Sequence, residues 1–135
     1  MRALLALSTF YRVSCVSYSD WLSQFQNTLI VNLSVIPGSH NSGSISPSDS
    51  RTSIGAWQYA QTQTLSIEEQ LELGIRFLDL RLHVYFDVVD VDDSIVISHT
   101  VDSNLTLTSV LEQVASFLLA HPTEFVIMYL RIDPA

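Results

Sequence analysis

At 135 residues the chain can bury one core and is too short for two ordinary domains. With 47% hydrophobic and 15% charged residues it is not a disordered segment. A formal charge of -8 and a pI near 4.6 argue against a phosphate-tracking nucleic-acid binder, and one cysteine, Cys15, excludes an internal disulfide and a cysteine-rich zinc site.

The opening residues, Met1 to Leu7, read as the start of a secretory signal, although Tyr11-Arg12 interrupts the apolar run before a small-residue cleavage site. This divides the chain into an N-terminal segment, 1–18, and a domain over 19–135. Ser19 or Asp20 caps a short helix through Phe25. Leu33 to Ile36 reads as a buried strand, stopped by Pro37-Gly38, so that His40 and Asn41 leave its tip. Residues 39–53, rich in Ser, Gly and Asp, form a solvated loop.

Ser66 and Glu69 fit a capping box, and Gly74 is placed to stop the helix they open. In the strand that follows, Asp79 and Arg81 share one face, while Leu78, Leu80 and Leu82 share the other. Asp90, Asp92 and Asp93 mark a solvated turn, and a short strand from Ser94 to Ser98 delivers His99. Thr106–Ala120 has the apolar spacing of one helix face, with Thr106 or a Ser109–Glu112 box as its cap. Pro122 ends it, and Phe125–Leu130 reads as a strand buried on both faces. The order of elements favours parallel β/α units.

Three strand ends or faces thus offer His40-Asn41, Asp79 with Arg81, and His99. In a parallel sheet or barrel such groups converge on one pocket. Two imidazoles and a guanidinium suit phosphodiester cleavage: one ring accepts a proton from an attacking hydroxyl, the other gives one to the leaving oxygen, and the planar fork holds phosphate oxygens. Asp79 can pair with Arg81 or orient an imidazole. His83 reads as a strand surface residue and His121 as a helix-end residue. Trp21, Trp57 and Tyr59 suit a membrane interface or a core, and the core is preferred for Trp21.

The segments Ile36–Ser42, Ser66–Leu82, Ile97–His99 and His121–Ile127, in this order, resemble the X region of the phosphatidylinositol-specific phospholipase C family. The resemblance implies an α/β fold, approximately the N-terminal half of a TIM-like (β/α) barrel. It also implies cleavage of the glycerol–phosphate bond of an inositol phospholipid, with the inositol 2-hydroxyl as internal nucleophile. His40 is then the general base and His99 the general acid, with Arg81 and Asp79 completing the catalytic set and Asn41 and Arg76 on the substrate side. An arginine at 81 resembles the metal-independent branch, so no metal or cofactor is expected. The implied partners are a phosphoinositide or related phosphodiester lipid on a transiently visited membrane surface, with a secreted or membrane-peripheral setting.

Two departures stand out. The metal-independent branch has an aspartate beside the first histidine, where this chain has Asn41. The chain also stops after about four strands of a barrel that usually takes ~250 residues, which leaves a partner or self-association as a way to complete it. Two alternatives remain open from sequence: a metal-dependent glycerophosphodiesterase- or sphingomyelinase-like relative, and a non-catalytic protein that keeps the pocket.

Overall fold

A computed structural model describes residues 17–24, 35–45, 59–86 and 94–132. Its elements are a 3-10 helix (Tyr18–Gln24), β1 (Gly38–Ser39), α1 (Ile67–Glu72), β2 (Phe77–Val84), β3 (Ile95–His99), β4 (Val101–Thr106), α2 (Leu107–Ala120) and β5 (Ile127–Ile132).

The sheet is built on β2. β5 lies parallel along one edge from Phe77 to Leu82. The other edge is shared: parallel β1 takes Phe77 and Leu78, and antiparallel β3 takes Leu82 to Val84. β4 extends β3 as a tight hairpin through Thr100, which sits at a φ of 66°. The parallel β/α expectation therefore holds for β1, β2 and β5, while β3–β4 is an antiparallel insertion. The result is a mixed sheet curved into a half-barrel and covered by helices on one face.

Local chemistry explains each element. Ser66 accepts from the Glu69 backbone N–H at 3.2 Å, and the Glu69 carboxylate accepts from the Ser66 N–H at 2.8 Å, so both halves of the capping box form. Those hydrogen bonds, the Ser66 backbone bond foremost, hold the Glu69 carboxyl below its usual range. Gly74 stops the chain at a φ of 97°, a left-handed geometry that strains any residue with a Cβ. Ser66→Ala is expected to lower stability by about 1 kcal/mol, read as a shifted denaturant midpoint with an unchanged slope. For α2, Thr106 is the cap, its Oγ1 accepting from the Ser109 N–H at 3.1 Å.

Between sheet and helices lies a single apolar layer. Leu78, Leu80 and Leu82 of β2 and Ile97 of β3 meet Ile67 and Leu71 of α1 and Val110, Val114 and Phe117 of α2. The β2 alternation is as the sequence indicates, with the leucines inside and Asp79 and Arg81 on the opposite face.

Two expectations need correction. Leu33–Ile36 is not a buried strand over its described part: Val35 is 96% exposed and the ladder starts at Gly38. The reason is Pro37, which has no N–H to give but whose carbonyl accepts from both Arg76 N and Phe77 N. Leu33 itself lies outside the described residues. Nor is the last strand buried on both faces, since Tyr129, Leu130 and Ile132 are all exposed on the β5 edge. A continuous apolar run looks the same whether its second face is covered or open.

His121 caps the end of α2 and does more than meet its dipole. Its Nδ1 lies 2.7 Å from Asp20 Oδ1 and its Nε2 lies 3.1 Å from Glu72 Oε1, while its ring stacks on Phe117 at 4.5 Å. Both ring nitrogens can donate only when the imidazole is charged. The Asp20 hydrogen bond, opposed by burial and helped by Glu72, raises its pKa above the ordinary value. A raised folded-state pKa stabilises fully below the unfolded value of about 6.5 and fades as pH climbs through the folded one. Melting temperature is therefore expected to fall as pH rises above about 6.5, and His121→Gln to flatten that decline.

Candidate active site

The strand tips and the inner face of β2 bring five sequence-expected residues together, His40, Asn41, Asp79, Arg81 and His99. A turn, Ser39 to Gly43, carries His40 and Asn41 out of β1 and back against β2. It is held by Ser42, whose backbone N–H donates to the Asp79 carbonyl at 2.7 Å and whose Oγ accepts from the Asp79 N–H at 2.9 Å. Gly43 lets this turn touch β3, because a Cβ there would sit 2.7 Å from Ile97 Cγ2. Gln70 of α1, buried, donates to the Ser42 carbonyl at 2.9 Å and ties the turn to the helix layer.

Asp79 is the hub. Its Oδ2 accepts from His40 Nδ1 at 3.1 Å and from the Asn41 backbone N–H at 3.3 Å, and its Oδ1 accepts from Arg81 Nε at 3.0 Å. Burial pushes its pKa up, but the Arg81 hydrogen bond, the Asn41 N–H and the charges of Arg81 and His40 together hold it below the usual carboxylate range. It stays ionised, accepts only, and so fixes the His40 proton on Nδ1. The His40 side chain is 68% exposed, so the anchored ring faces outward.

His99 stands opposite. Its ring centroid is 6.2 Å from that of His40, with the rings inclined at 76°. Nδ1 of His99 donates to the Ala60 carbonyl at 2.9 Å, which turns Nε2 away from that anchor. Both rings lie on one side of the sheet and close enough to flank a single tetrahedral phosphate.

Asn41 is 2% exposed and adopts a φ of 45°. Its Nδ2 donates to His40 Nε2 at 3.0 Å, and its backbone carbonyl accepts from Thr62 Oγ1 at 3.0 Å. Arg76 lies elsewhere, which corrects its placement on the substrate side. It is fully buried at the opposite end of β2, its Nη2 2.8 Å from Glu124 Oε2, and it has no surface to offer a substrate.

Sequence reasoning missed a second polar group on the same inner face. His83 Nδ1 lies 3.1 Å from Asp102 Oδ1, Tyr85 Oη donates to Asp102 Oδ2, and the His83 and Tyr85 rings are 4.4 Å apart. The alternation Asp79, Arg81, His83 was a signal for it, but β4, which supplies Asp102, was not foreseen. Trp21 packs beside Gly74 and Arg76, whereas Tyr59 is 87% exposed. Trp57 and the Asp90–Asp93 turn lie outside the described residues, as does the signal-like stretch over residues 1–16.

A family model described as PI-PLC X matches residues 33–133. The chain belongs to the PI-PLC X family. It is 33% identical over 117 residues to the 1-phosphatidylinositol phosphodiesterase of Listeria monocytogenes, covering 86% of this chain and 33% of that protein. It is 32% identical over 136 residues to PI-PLC X domain-containing protein 3 of Danio rerio, covering 82% of this chain and 41% of that one. The fold is similar to the phosphatidylinositol-specific phospholipase C of Staphylococcus aureus, with a TM-score of 0.72 at 29% identity over 87% of this chain and 36% of that structure. Against the Listeria monocytogenes enzyme the TM-score is 0.68 at 33% identity, over 85% of this chain and 38% of that structure. The PI-PLC X chain thus spans between a third and about two-fifths of the length of these relatives, and its half-barrel is a partial TIM-like fold.

Proposed function

We propose that this chain carries phosphodiester-cleaving machinery for inositol phospholipids. His40, with its proton on Nδ1, takes a proton at Nε2 from the inositol 2-hydroxyl, which takes the place of Asn41 Nδ2 at that nitrogen as its oxygen bonds to phosphorus. The bond from phosphorus to the glycerol oxygen breaks, and His99, charged and protonated at Nε2, donates its proton to the departing diacylglycerol. The products are a cyclic inositol phosphate and diacylglycerol, and the step leaves His40 charged and His99 neutral. Arg81 supplies the positive charge beside the phosphate, and Asp79 holds both Arg81 and His40 to one anchor.

The observation that carries this reading is the pair of imidazoles, 6.2 Å apart, of which one shares Asp79 with the guanidinium. The substrate is a phosphoinositide or related phosphodiester lipid, met at a membrane surface that the chain visits transiently. The names of the relatives favour the inositol head group.

The test is incubation of the full chain with phosphatidylinositol vesicles, with and without a chelator, followed by phosphorus NMR of the water-soluble product. A cyclic phosphate released at the same rate in both is expected. Loss of turnover on chelation favours a metal-dependent phosphodiesterase. No product in either arm favours a protein that retains the pocket without cleavage.

A further inference from the structure

The His40 ring is read by its two neighbours in the same way. Asp79 can only accept, so it faces a proton on Nδ1; Asn41 Nδ2 can only donate, so it faces a bare Nε2. Both therefore select the neutral tautomer a general base needs. Once Nε2 gains a proton, two donors confront each other at 3.0 Å, and the contact becomes repulsive. The same amide holds the remedy. Asn41 Oδ1 is buried without a hydrogen-bond partner among the described residues.

We propose that Asn41 is a positioning residue whose amide turns over with the protonation of His40, presenting Nδ2–H to the neutral ring and Oδ1 to the charged one. A half-turn about the Cβ–Cγ bond exchanges oxygen and nitrogen in nearly the same volume, so it needs no repacking of the buried turn. One buried amide atom lacks a partner in either orientation, so that penalty largely cancels between the two states. A carboxylate at this position could only accept. Beside Asp79 it would favour the charged ring and raise the His40 midpoint. The inference deepens the reading of His40 as the base and rests on it.

The groups facing His40 are Asp79 on β2, Arg81 through Asp79, and His99 at the end of β3. The test is nitrogen-15 NMR of the full chain, following the His40 ring and the Asn41 side-chain amide through a pH titration. Expected are a neutral His40 protonated on Nδ1, Asn41 NH₂ signals that move with the His40 midpoint, and a midpoint raised by about one unit or more in Asn41→Asp. Aspartate tolerates a left-handed backbone as asparagine does, so that variant keeps the turn. Asn41→Gly, which keeps the backbone and removes the amide, is expected to erase the tautomer preference imposed at Nε2. An Asn41 amide that stays fixed through the titration, or an Asn41→Asp midpoint equal to the unsubstituted chain's, overturns the proposal. Coupling as described in a chain that cleaves no inositol lipid overturns the catalytic reading instead.

Discussion

Glu124→Ala is expected to cost the fold about 3–5 kcal/mol, a large share of the total stability of a domain this size. The effect is large because of what the substitution strands. Arg76 is fully buried and directs Nε and Nη2 at one carboxylate oxygen, at 2.9 and 2.8 Å. Its remaining hydrogen bonds run to main-chain carbonyls, those of Leu71, Ile75 and Ser19 at 2.7 Å and that of Tyr18 at 3.5 Å, and its guanidinium lies 4.6 Å from the Phe117 ring. Those carbonyls satisfy the N–H groups but leave the charge uncompensated once the carboxylate is gone. Glu124→Gln, which keeps an acceptor, is expected to lose less. Removing both partners together, as Arg76→Met with Glu124→Leu, is expected to lose less than the two single changes combined. Urea unfolding read by far-UV circular dichroism measures all of these.

His40→Ala and His99→Ala are each expected to slow cleavage of phosphatidylinositol by roughly 10²–10⁴-fold, the range for removing one acid or base from a proton-transfer step. The double variant is expected to be little slower than either single one, because the two rings serve one transition state. Both side chains reach the open side of the sheet, so neither change touches the leucine layer beneath Asp79, and unfolding midpoints should stay close to the unsubstituted value. A ten-fold loss or less with His99→Ala, at unchanged stability, contradicts its role as the acid.

The legible parts of the fold were those set by short-range chemistry. The Ser66–Glu69 box, the Gly74 stop, the leucine alternation of β2 and the apolar stripe of α2 all depend on residues within a turn or two of each other. β4 was not legible, because Val101 to Thr106 carries Asp, Ser and Asn and owes its extended form to pairing with β3. The exposure of β5 depends on what lies across its open edge, which no residue within it encodes.

The site divides along the same line. A histidine after Pro-Gly and a histidine after a short strand announce themselves, and Asp79 with Arg81 follows from strand period. Only the resemblance puts Arg76 on the substrate side, and nothing near it in sequence marks it as buried, since its counter-charge, Glu124, is 48 residues away. The link from Asn41 to the His40 ring was hidden for a different reason, since neighbours in sequence rarely aim their side chains at each other, and here the left-handed φ of Asn41 makes them do so.

The most direct measurement is titration of the nitrogen-15-labelled chain with a soluble inositol phosphate diester, with the ring signals of His40 and His99 observed together. Both rings should shift along the same saturation curve, and Arg81→Ala should weaken the binding of both equally. Movement of one ring alone, or two curves with different midpoints, would mean that the imidazoles do not address a common phosphorus.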